Sequence, residues 1–491
     1  MAQDSTQTIP PPAASGYAGR RRNTLTALLV ATAFFMENLD GTVITTAVPA
    51  MARDFGVIPT DLGLGVSAYL LTLGVFIPIS GWMAERFGSR RVFCSALILF
   101  TLASLACGLA DNLWAFIALR VLQGIGGAMM VPVGRLVLLR STPKHDLMRV
   151  MSILIWPGLF APVLGPPLGG FITEYTSWRW IFYLNIPVGF AALAAAWLLI
   201  PNEIDDTRRP FDWQGFFWIG GGLASVLWGV ELCGRAVLPW QEMTLFLGVG
   251  AAMLAIGIRH LNRHPHPMLL LTPIKHPTYA VNIRGGSLFR MSVGAVPFLL
   301  PLMFQVGYGM DAFHAGQLVL VVFAGNLAMK MFTTPVMKRF GFQRILLCNG
   351  VINTLALAAC ALIGPAMSFP TTAAILFIGG LSRSMQFTAL NTLAFADMPQ
   401  EELSAASSLF STMSQLALGM GIALGAIAIR IGEWTAPVLG VDQAPGAAYR
   451  LAFLVVALVS LVGMLDLLGL KRDAGSSVSY THLTLPTILL V

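Results

Sequence analysis

Charged residues are scarce in this sequence. Asp, Glu, Lys and Arg make up 11% of the 491 residues, whereas soluble domains carry about 25%. A chain that is 56% hydrophobic cannot cover a water-facing surface, so the composition excludes an ordinary soluble protein. Apolar stretches of about 18 or more residues recur throughout, and each can cross about 30 Å of hydrocarbon as a helix. The alternating runs of barrel strands are missing, so we predict an all-α integral membrane protein.

Motifs for nucleotide, disulfide and metal chemistry are missing as well. The five cysteines share no motif spacing, and most fall inside apolar stretches, where cysteine acts as a small apolar residue. No GxxxxGKS/T phosphate loop occurs, which argues against direct coupling to ATP. His260, His264 and His266 lie in a polar, proline-interrupted segment, which favours a solvated loop over a metal site. We expect neither enzyme activity nor a bound metal.

Fourteen apolar spans follow one another in a six–two–six pattern. Residues 1–23, rich in Pro, Ala and Ser, are predicted to be a disordered cytoplasmic tail. Residues 24–201 and 285–470 are predicted to form six-helix bundles, residues 202–284 a linker with two additional transmembrane helices, and residues 471–491 a C-terminal tail. The predicted spans are 25–49, 62–83, 92–110, 113–138, 150–173, 180–200, 213–233, 241–259, 285–306, 313–336, 344–364, 371–396, 404–430 and 448–470.

The formal net charge of +7 comes from basic residues that lie mostly in short loops. If the N-terminus is cytoplasmic, twenty loop Arg and Lys residues fall on the cytoplasmic side and five on the other side. Basic loops of membrane proteins stay preferentially in the cytoplasm. An odd number of spans would scramble this bias, so it predicts an even count with both termini cytoplasmic. The positive charge therefore indicates orientation, and we expect no nucleic-acid partner.

The last fourteen residues differ in character from the rest of the chain. Residues 478–487 read VSYTHLTLPT, which resembles the translated end of a transposon-type sequencing adapter. We interpret residues 478–491 as a sequence artefact and exclude them from the fold prediction. A genuine short apolar tail is the alternative.

Charges that are costly in a membrane lie in the first and fourth spans. A carboxylate at the bilayer centre costs about 2.5–3.5 kcal/mol on insertion scales, yet Glu37 and Asp40 both lie in the first span and share a helix face. Arg120 and Gln123 share a face of the fourth span, and the arginine needs a partner, for which Asp40 and Glu37 are candidates. The pattern favours proton exchange, and a satisfied structural pair is the alternative.

A short basic loop occurs at the same place in both halves. Residues 81–91 read GWMAERFGSRR after the second span, and RFG recurs at 339–341 after the tenth. Duplicated bundles of this kind form a site between them at mid-membrane. A glycine inside the span allows close helix approach, a glycine in the loop allows a tight turn, and the charges can pair or cap helix ends. The motif residues are Gly81, Glu85, Arg86, Gly88, Arg90 and Arg91.

The fifth span contains residues that would break a water-exposed helix. Residues 158–170 read GLFAPVLGPPLGG. In a membrane they predict a kinked, smooth-faced helix on which a partner helix can pack and rock. A kinked packing helix without directional meaning is the alternative. The positions of interest are Gly158, Pro162, Gly165, Pro166, Gly169 and Gly170.

These motifs together resemble the major facilitator superfamily, and within it the fourteen-span drug:proton antiporter branch. The resemblance extends from about residue 23 to residue 470. It implies two six-helix bundles with two helices inserted between them, alternating access, a proton gradient as energy source and no cofactor. Glu85 stands where the family usually has Asp, so the longer side chain changes the reach of this carboxylate.

The resemblance also implies roles for several residues. Residues 158–170 look like the antiporter signature, which favours export over import. Asp40 lies where the family has its acidic first-span residue, and Arg120 corresponds to the fourth-span arginine that the family links to proton transfer. Glu37 is expected to modulate Asp40 or to contact cationic substrates. Residues 177–189, reading SWRWIFYLNIPVG, resemble the sixth-span entry of the branch and suggest an anchor at the outer interface.

Further residues of the spans are candidates for the substrate cavity. The basic ones could attract an anionic or zwitterionic group, and the alternative is snorkelling or structural pairing. Met and Phe side chains could form an adaptable apolar wall, with ordinary core or lipid contact as the alternative. The candidates are Gln123, Arg290, Met303, Phe304, Lys330, Met331, Arg383 and Phe387.

The sequence thus favours a proton-coupled antiporter that exports amphipathic small molecules or drugs across a bacterial inner membrane. A solute:proton symporter or uniporter on the same fold is one alternative, against which the fifth-span signature argues. A membrane sensor or enzyme is the other, and it would need an output domain or a catalytic cluster. Expected partners are protons, a small-molecule substrate and the bilayer. We expect a monomer and leave accessory export partners open.

Overall fold

The computed structural model describes residues 15–141, 147–200, 210–233, 239–399 and 402–470. Regular structure in these ranges is helical, without strands, which confirms the all-α prediction. The described α-helices are α1 (Ser15–Val43), α2 (Val48–Phe55), α3 (Gly63–Phe87), α4 (Ser89–Gly108), α5 (Leu113–Ser141), α6 (Leu147–Tyr175), α7 (Trp180–Tyr183), α8 (Asn185–Leu199), α9 (Trp213–Leu232), α10 (Trp240–Leu261), α11 (Pro277–Leu302), α12 (Ala312–Phe340), α13 (Phe342–Cys360), α14 (Phe369–Ala396), α15 (Leu403–Val438) and α16 (Ala447–Leu465).

Most of these helices are long enough to cross a bilayer. Twelve segments of the described chain have the length and apolar composition of a membrane span. The segment Trp180–Leu199 combines α7 and α8. The long helices α6 and α9 lie outside that set of twelve and bring the number of long helical segments in the described residues to fourteen. The chain is therefore a multi-pass membrane protein with the helix pattern that the sequence predicts.

The two halves repeat one packing scheme. In the first half α1 packs on α6, α3 on α5, and α4 on α5 and α8. In the second half α11 packs on α15, α12 on α14, and α13 on α14 and α16, which are the matching positions. Between the halves α3 packs on α15 and α6 on α12, so the second helix of each half meets the fifth helix of the other. This confirms two six-helix bundles with the same order of helix contacts.

The repeated loop glycines have the same backbone role in both halves. Gly88 separates α3 from α4 with φ of 89°, and Gly341 separates α12 from α13 with φ of 75°. Residues with a Cβ rarely adopt this conformation, so a one-residue connection between two long helices requires glycine here.

The inserted helices α9 and α10 form a hairpin. A Cβ at Gly250 would lie 2.9 Å from the backbone nitrogen of Val226, so the two helices touch along a glycine-lined seam. Outside the hairpin, α9 contacts α3 of one half and α15 of the other. The ring of Phe216 packs edge-on against that of Phe76, with 5.1 Å between ring centroids. The hairpin of α9 and α10 therefore covers the contact between α3 and α15, which is one of the two interfaces between the halves.

Three boundaries differ from the sequence prediction. Helix α1 begins at Ser15, so a disordered tail is wrong for residues 15–23, and residues 1–14 lie outside the described chain. Helix α1 ends at Val43 and is followed by a 3-10 turn, Ile44–Thr46, because Pro49 lies at the second position of the next helix. Helix α11 begins at Pro277 rather than 285, since proline fits a first helical turn.

Candidate functional site

A buried carboxylate and guanidinium lie at the centre of the first half. Nη1 of Arg120 on α5 lies 2.5 Å from Oδ2 of Asp40 on α1 and donates at 2.6 Å to Oε1 of Gln123. Nε2 of Gln123 donates at 2.8 Å to Oδ1 of Asp40. Asp40 is 2% exposed, and Arg120 and Gln123 are fully buried. The three side chains form a closed ring, so the structure places Gln123 with the carboxylate rather than in the cavity.

Two more helices complete this polar cluster. Nδ2 of Asn185 on α8 donates at 3.1 Å to Oδ1 of Asp40, and Nε2 of Gln123 donates at 2.7 Å to Oγ of Ser104 on α4. The guanidinium of Arg120 lies over the ring of Tyr69, 4.1 Å from its centroid. Four helices of one half thus contribute polar atoms, and α3 adds an aromatic face that suits a desolvated cation.

Glycines on α5 make this convergence possible. A Cβ at Gly124 would lie 2.9 Å from the carbonyl oxygen of Tyr69, and one at Gly126 would lie 2.8 Å from the backbone nitrogen of Phe100. Such distances are shorter than real Cβ contacts, so α5 approaches α3 and α4 only because these positions lack a side chain.

Glu37 is separate from the Asp40 cluster. Its Oε2 is buried without a hydrogen-bond partner in the described chain. Its charge interacts with Arg135 on α5 and, more weakly, with Asp40. The backbone carbonyl of Glu37 accepts a hydrogen bond from the hydroxyl of Tyr69 at 3.4 Å. Tyr69 therefore connects the two acidic positions of α1. Its ring covers the guanidinium of Arg120, the partner of Asp40, and its hydroxyl donates to the backbone carbonyl of Glu37.

A cavity of about 280 Å³ lies between the two halves. Its walls come from α1, α5 and α6 of the first half and from α12 and α14 of the second. Asn38 lines it from the same turn of α1 that carries Glu37 and Asp40. The lining residues are Phe34, Asn38, Arg135, Gly158, Pro162, Val163, Phe323, Asn326, Leu327, Lys330, Arg383 and Phe387.

The structure divides the remaining cavity candidates. Lys330, Arg383 and Phe387 line the cavity. Arg290 lies elsewhere, where its Nη2 donates at 3.0 Å to Oδ1 of Asn391 and its guanidinium lies 4.9 Å from the ring centroid of Phe410. A cavity role for Arg290 is therefore not supported by its position, because α11 turns this side chain into the second bundle.

The predicted Met and Phe wall is also divided. Met303 and Phe304 lie in a π-helical segment, Met303–Gly307, and are fully buried in the hydrophobic core that joins the two halves. Met331 is 74% exposed, and it lies one turn beyond the cavity residue Leu327. None of these three is among the residues that line the described cavity.

The glycines of α6 contact two different helices. A Cβ at Gly165 would overlap Thr42, one at Gly169 would overlap the carbonyl of Val43, and one at Gly158 would overlap a ring on α1. Gly170 instead faces the carbonyl of Ala312, at the start of α12 in the other half. Helix α6 thus contacts its own bundle and the opposite bundle through a smooth surface, next to Pro162 and Pro166.

The halves also touch through polar contacts near these residues. Nε2 of Gln305 donates at 2.9 Å to the carbonyl of Thr46 across the interface, and within the first half the hydroxyl of Thr46 donates at 3.3 Å to the carbonyl of Pro166. The amide of Ala312 donates at 3.2 Å to Oε2 of Glu174. On α6 and α12 these contacts lie towards Tyr175 and Ala312, whereas the cavity residues lie near the middle of both helices. The structure is therefore closed at one end of the interface.

The loop motif differs in part from its prediction. A Cβ added at Gly81 would have nothing within 4 Å, so this glycine permits no close helix approach in this conformation. The guanidinium groups of Arg86 and Arg90 lie over the rings of Trp82 and Trp197, at 5.8 and 5.1 Å. Arg91 is exposed. None of the ion pairs found in the described part of the chain involves Glu85.

The linker histidines are not all in a solvated loop. Nε2 of His260 lies 2.8 Å from Oδ1 of Asp212, and the side chain is only 18% exposed. The imidazole of His264 lies beside it, with 4.9 Å between ring centroids. Asp212 also accepts the amides of Gly215 and Met268, at 2.8 and 3.2 Å. The carboxylate of Asp212 therefore caps the N-terminus of α9 and also binds the linker that follows α10.

Asp212 keeps its charge despite this burial. Burial alone would raise the pKa of Asp212, but the hydrogen bonds from the Gly215 amide, His260 and the Met268 amide outweigh it and lower the pKa. At neutral pH the carboxylate is therefore ionised and can accept all three bonds.

Three residues with functional positions were not singled out from the sequence. Arg135 lines the cavity and its charge acts on Glu37, and it lies within the last turn of the predicted span 113–138, where a basic residue is a usable signal. Asn185 lies within the SWRWIFYLNIPVG segment, whose resemblance suggested only an anchor. Ser104 carries no sequence signal, because serine in a span is common.

The start of that segment is held by hydrogen bonds to α2. Nε1 of Trp178 and Nη1 of Arg179 both donate to Oδ2 of Asp54, each at 2.7 Å. These hydrogen bonds from Trp178 and Arg179 lower the pKa of Asp54. The segment therefore combines a contact with α2 and a residue of the buried polar cluster.

Comparison with protein families identifies a match over most of the chain. The model of the Major Facilitator Superfamily matches residues 30–422. A protein of Salmonella typhimurium strain LT2, named "Putative multidrug resistance protein MdtD", is 35% identical over 419 residues, which cover 84% of this chain and 88% of that protein. The protein of the same name from Pectobacterium carotovorum is 36% identical over 399 residues, covering 81% and 85%.

Solved structures share the fold at low sequence identity. An auto-inhibited POT family peptide transporter has a TM-score of 0.66 at 15% identity, covering 92% of this chain and 97% of its own. A D-xylose–proton symporter has a TM-score of 0.64 at 15% identity, covering 93% and 99%. At this identity the likeness concerns the fold alone.

Proposed function

The chain belongs to the Major Facilitator Superfamily, and from this premise we propose that it exports amphipathic small molecules, including drugs, in exchange for protons. It is a transporter rather than an enzyme. The names of its relatives support multidrug export as the direction and substrate range. The alternating-access mechanism is supported by two similar bundles with a cavity between them. We place the protein in a bacterial inner membrane with both termini in the cytoplasm, as a monomer that needs no cofactor.

The buried pair of Asp40 and Arg120 is the observation that carries this proposal. An ion pair fully removed from water is costly to retain for packing alone. When Asp40 is ionised, its charge is balanced by Arg120 and shared with two amides. When it is protonated, the pair becomes a single positive charge in a buried site. A proton thus changes the electrostatics of the buried cluster and can bias the position of α1.

Helix contacts connect this cluster to the opposite half. Asp40 lies on α1, and α1 packs against the glycines of α6, including Gly165 and Gly169. Gly170, the next residue along α6, points to a different side of the helix and meets α12 of the other half. Asn38, two residues before Asp40, lines the cavity. Substrate in the cavity and a proton on Asp40 therefore act on one helix, which is the arrangement that exchange requires.

Symport or uniport on the same fold is the second candidate. The fold permits it, since a D-xylose–proton symporter shares this fold, but the names of the more similar relatives do not support it. Antiport and symport both use the proton site and differ in the direction in which the proton moves relative to substrate, whereas a uniporter moves no proton.

The first experiment asks whether Asp40 couples transport to protons. A susceptibility comparison in a pump-deficient host identifies an exported compound, whose uptake into everted or reconstituted vesicles is then measured at several imposed pH gradients. Asp40→Asn mimics the permanently protonated state, so it should abolish gradient-driven transport while substrate binding remains. Glu37→Gln should give a smaller defect that depends on the charge of the substrate.

A matched control separates coupling from a general effect of the substitution. Asp111→Asn makes the same chemical change at a side chain that is 90% exposed, and it should transport like the wild type. If Asp40→Asn retained full gradient-driven transport, Asp40 would not be the proton site, and the site would then be expected at Glu37 or in the second half.

A further inference from the structure

We propose that the cavity binds an acidic group of the substrate between Lys330 and Arg383, so that the compounds exported are compact amphipathic organic anions. This inference rests on the proposed export function and specifies its substrate class. A carboxylate or sulfonate on an aromatic or apolar body has the required chemistry.

Arg383 has hydrogen-bonding capacity that the protein leaves unused. Its buried Nη1 has no hydrogen-bond partner in the described chain. Its guanidinium lies over the ring of Phe323, 5.4 Å from the centroid, and both residues line the cavity. A desolvated guanidinium without an acceptor is unfavourable, and an anionic oxygen satisfies it with a charge-assisted hydrogen bond.

Lys330 supplies a second cation on the same side. Its Nζ donates at 3.2 Å to the hydroxyl of Thr388 on α14, which is a neutral partner. The side chain is only partly exposed and lines the cavity from α12. Lys330 and Arg383 thus come from adjacent helices of the second half, and no carboxylate in the described ion pairs balances either of them.

The opposite wall holds one basic residue. Arg135 is the third basic residue of the cavity, and Glu37, the acidic residue whose charge acts on it, is not among the lining residues. None of the described lining residues is acidic. Two of the three lining cations therefore lie on the second-half side, where they attract an anion and disfavour a cation.

The remaining surface of the cavity suits a flat apolar body. Phe34, Phe323 and Phe387 come from three different helices, and Pro162 and Val163 complete the apolar wall. The volume of about 280 Å³ is at the lower end of small-molecule sites. An aromatic acid of two or three rings fits these properties.

Two probes with the same aromatic body test this assignment. Anilinonaphthalene sulfonate carries a negative charge, and phenylnaphthylamine lacks it. Their fluorescence on binding to the purified full chain in detergent, corrected for empty micelles, gives a Kd for each. The wild type should bind the sulfonate more tightly. Lys330→Gln and Arg383→Gln should each raise the sulfonate Kd about tenfold, since a charge-assisted hydrogen bond is lost, and leave that of phenylnaphthylamine unchanged.

Controls keep the result interpretable. Lys275→Gln removes an exposed linker charge and should change neither Kd, while Lys330→Arg keeps the charge and should retain sulfonate binding. Unchanged phenylnaphthylamine binding reports an intact cavity in each variant. The proposal is overturned if the wild type does not prefer the sulfonate, or if both Kd values rise together. Binding needs no pH gradient, so a failure of antiport leaves this result unaffected.

Discussion

The pair of Asp40 and Arg120 is stabilised by a set of neutral groups rather than by further charges. Gln123 contacts both members, Asn185 contacts the carboxylate, and Tyr69 covers the guanidinium. Nε and Nη2 of Arg120 have no hydrogen-bond partner in the described chain. The cluster therefore provides more hydrogen-bond partners for the carboxylate of Asp40 than for the guanidinium of Arg120. Removing the charge of Asp40 and removing that of Arg120 should therefore have unequal effects.

Breaking this pair should be costly. Arg120→Ala leaves the Asp40 charge buried without a cation, and we expect a loss of about 3–5 kcal/mol in the free energy of unfolding, together with impaired coupling. In Asp40→Asn/Arg120→Ala the loss should be smaller than the sum of the single losses. Thermal unfolding in detergent measures this, with Arg284→Ala, whose side chain is 67% exposed, as control. Additive losses would show that the two charges do not interact.

At this scale the sequence predicted the charges and not their surroundings. The cost of a charge in a span predicted that Arg120 needs a partner and left Asp40 and Glu37 as alternatives, between which the structure selects Asp40. Ser104 and Asn185 contribute through contacts between helices that are distant in sequence. The spacing of residues within one helix does not show which residues of other helices they contact. Arg290 and Lys330 looked equivalent in sequence, but the rotation of α11 and α12 places only Lys330 in the cavity.

Helix α6 connects the proton site to the opposite half. Its glycines at 158, 165 and 169 face α1, and Gly170 faces α12. The reciprocal glycine, Gly316 on α12, would place a Cβ 2.6 Å from the carbonyl of Pro166. Close approach from both sides gives an interface without interlocking side chains, along which two helices can slide.

A bulky residue in this interface should stop transport. In Gly165→Leu the new side chain overlaps Thr42 and the backbone of Val43, so α6 cannot pack on α1. Leucine favours membrane insertion, and we expect normal membrane levels with transport reduced to background. Transport and quantitative immunoblotting of membranes measure both. Gly248→Leu, with nothing within 4 Å of its Cβ position, should transport normally. Wild-type transport by Gly165→Leu would show that the glycines are incidental.

Element boundaries were predictable where hydrophobicity alone decides them. The ends of α4, α13 and α16 fall within a few residues of the predicted spans. Helix α11 was missed over its first two turns, because polar residues there looked like linker. Asn282 is buried in this part of α11 and donates at 2.5 Å to the carbonyl of Leu390. Tertiary hydrogen bonds thus extend a helix beyond its apolar run.

The whole molecule is closed at one end and contains a cavity near the middle of its long helices. One hydrophobic cluster joins the halves at the closed end, and it includes Ile44 and Val48 from the first half with Leu299 and Phe304 from the second. The six–two–six order and the duplication could be predicted from the sequence. The pairing of α3 with α15 and of α6 with α12 could not, since no sequence pattern indicates which helices meet between the halves.

Orientation in the membrane can be tested directly. The excess of basic loop residues predicts that reporter fusions after Arg22, Arg284 and Lys471 all report a cytoplasmic location. A fusion after Tyr175, at the C-terminal end of α6, should report a periplasmic location. A periplasmic signal at Arg284 would mean that α9 and α10 do not both cross the bilayer.

The central claim is that substrate and proton move in opposite directions through the same carrier. The most direct measurement uses proteoliposomes that contain a pH-sensitive dye and a high internal concentration of an exported compound, with no initial pH gradient. As the compound leaves, antiport should acidify the lumen, and Asp40→Asn should abolish this change. The sign does not depend on how the protein is oriented in the vesicle. Alkalinisation of the lumen would indicate symport and contradict the account, and substrate efflux without any pH change would indicate uniport and contradict it as well.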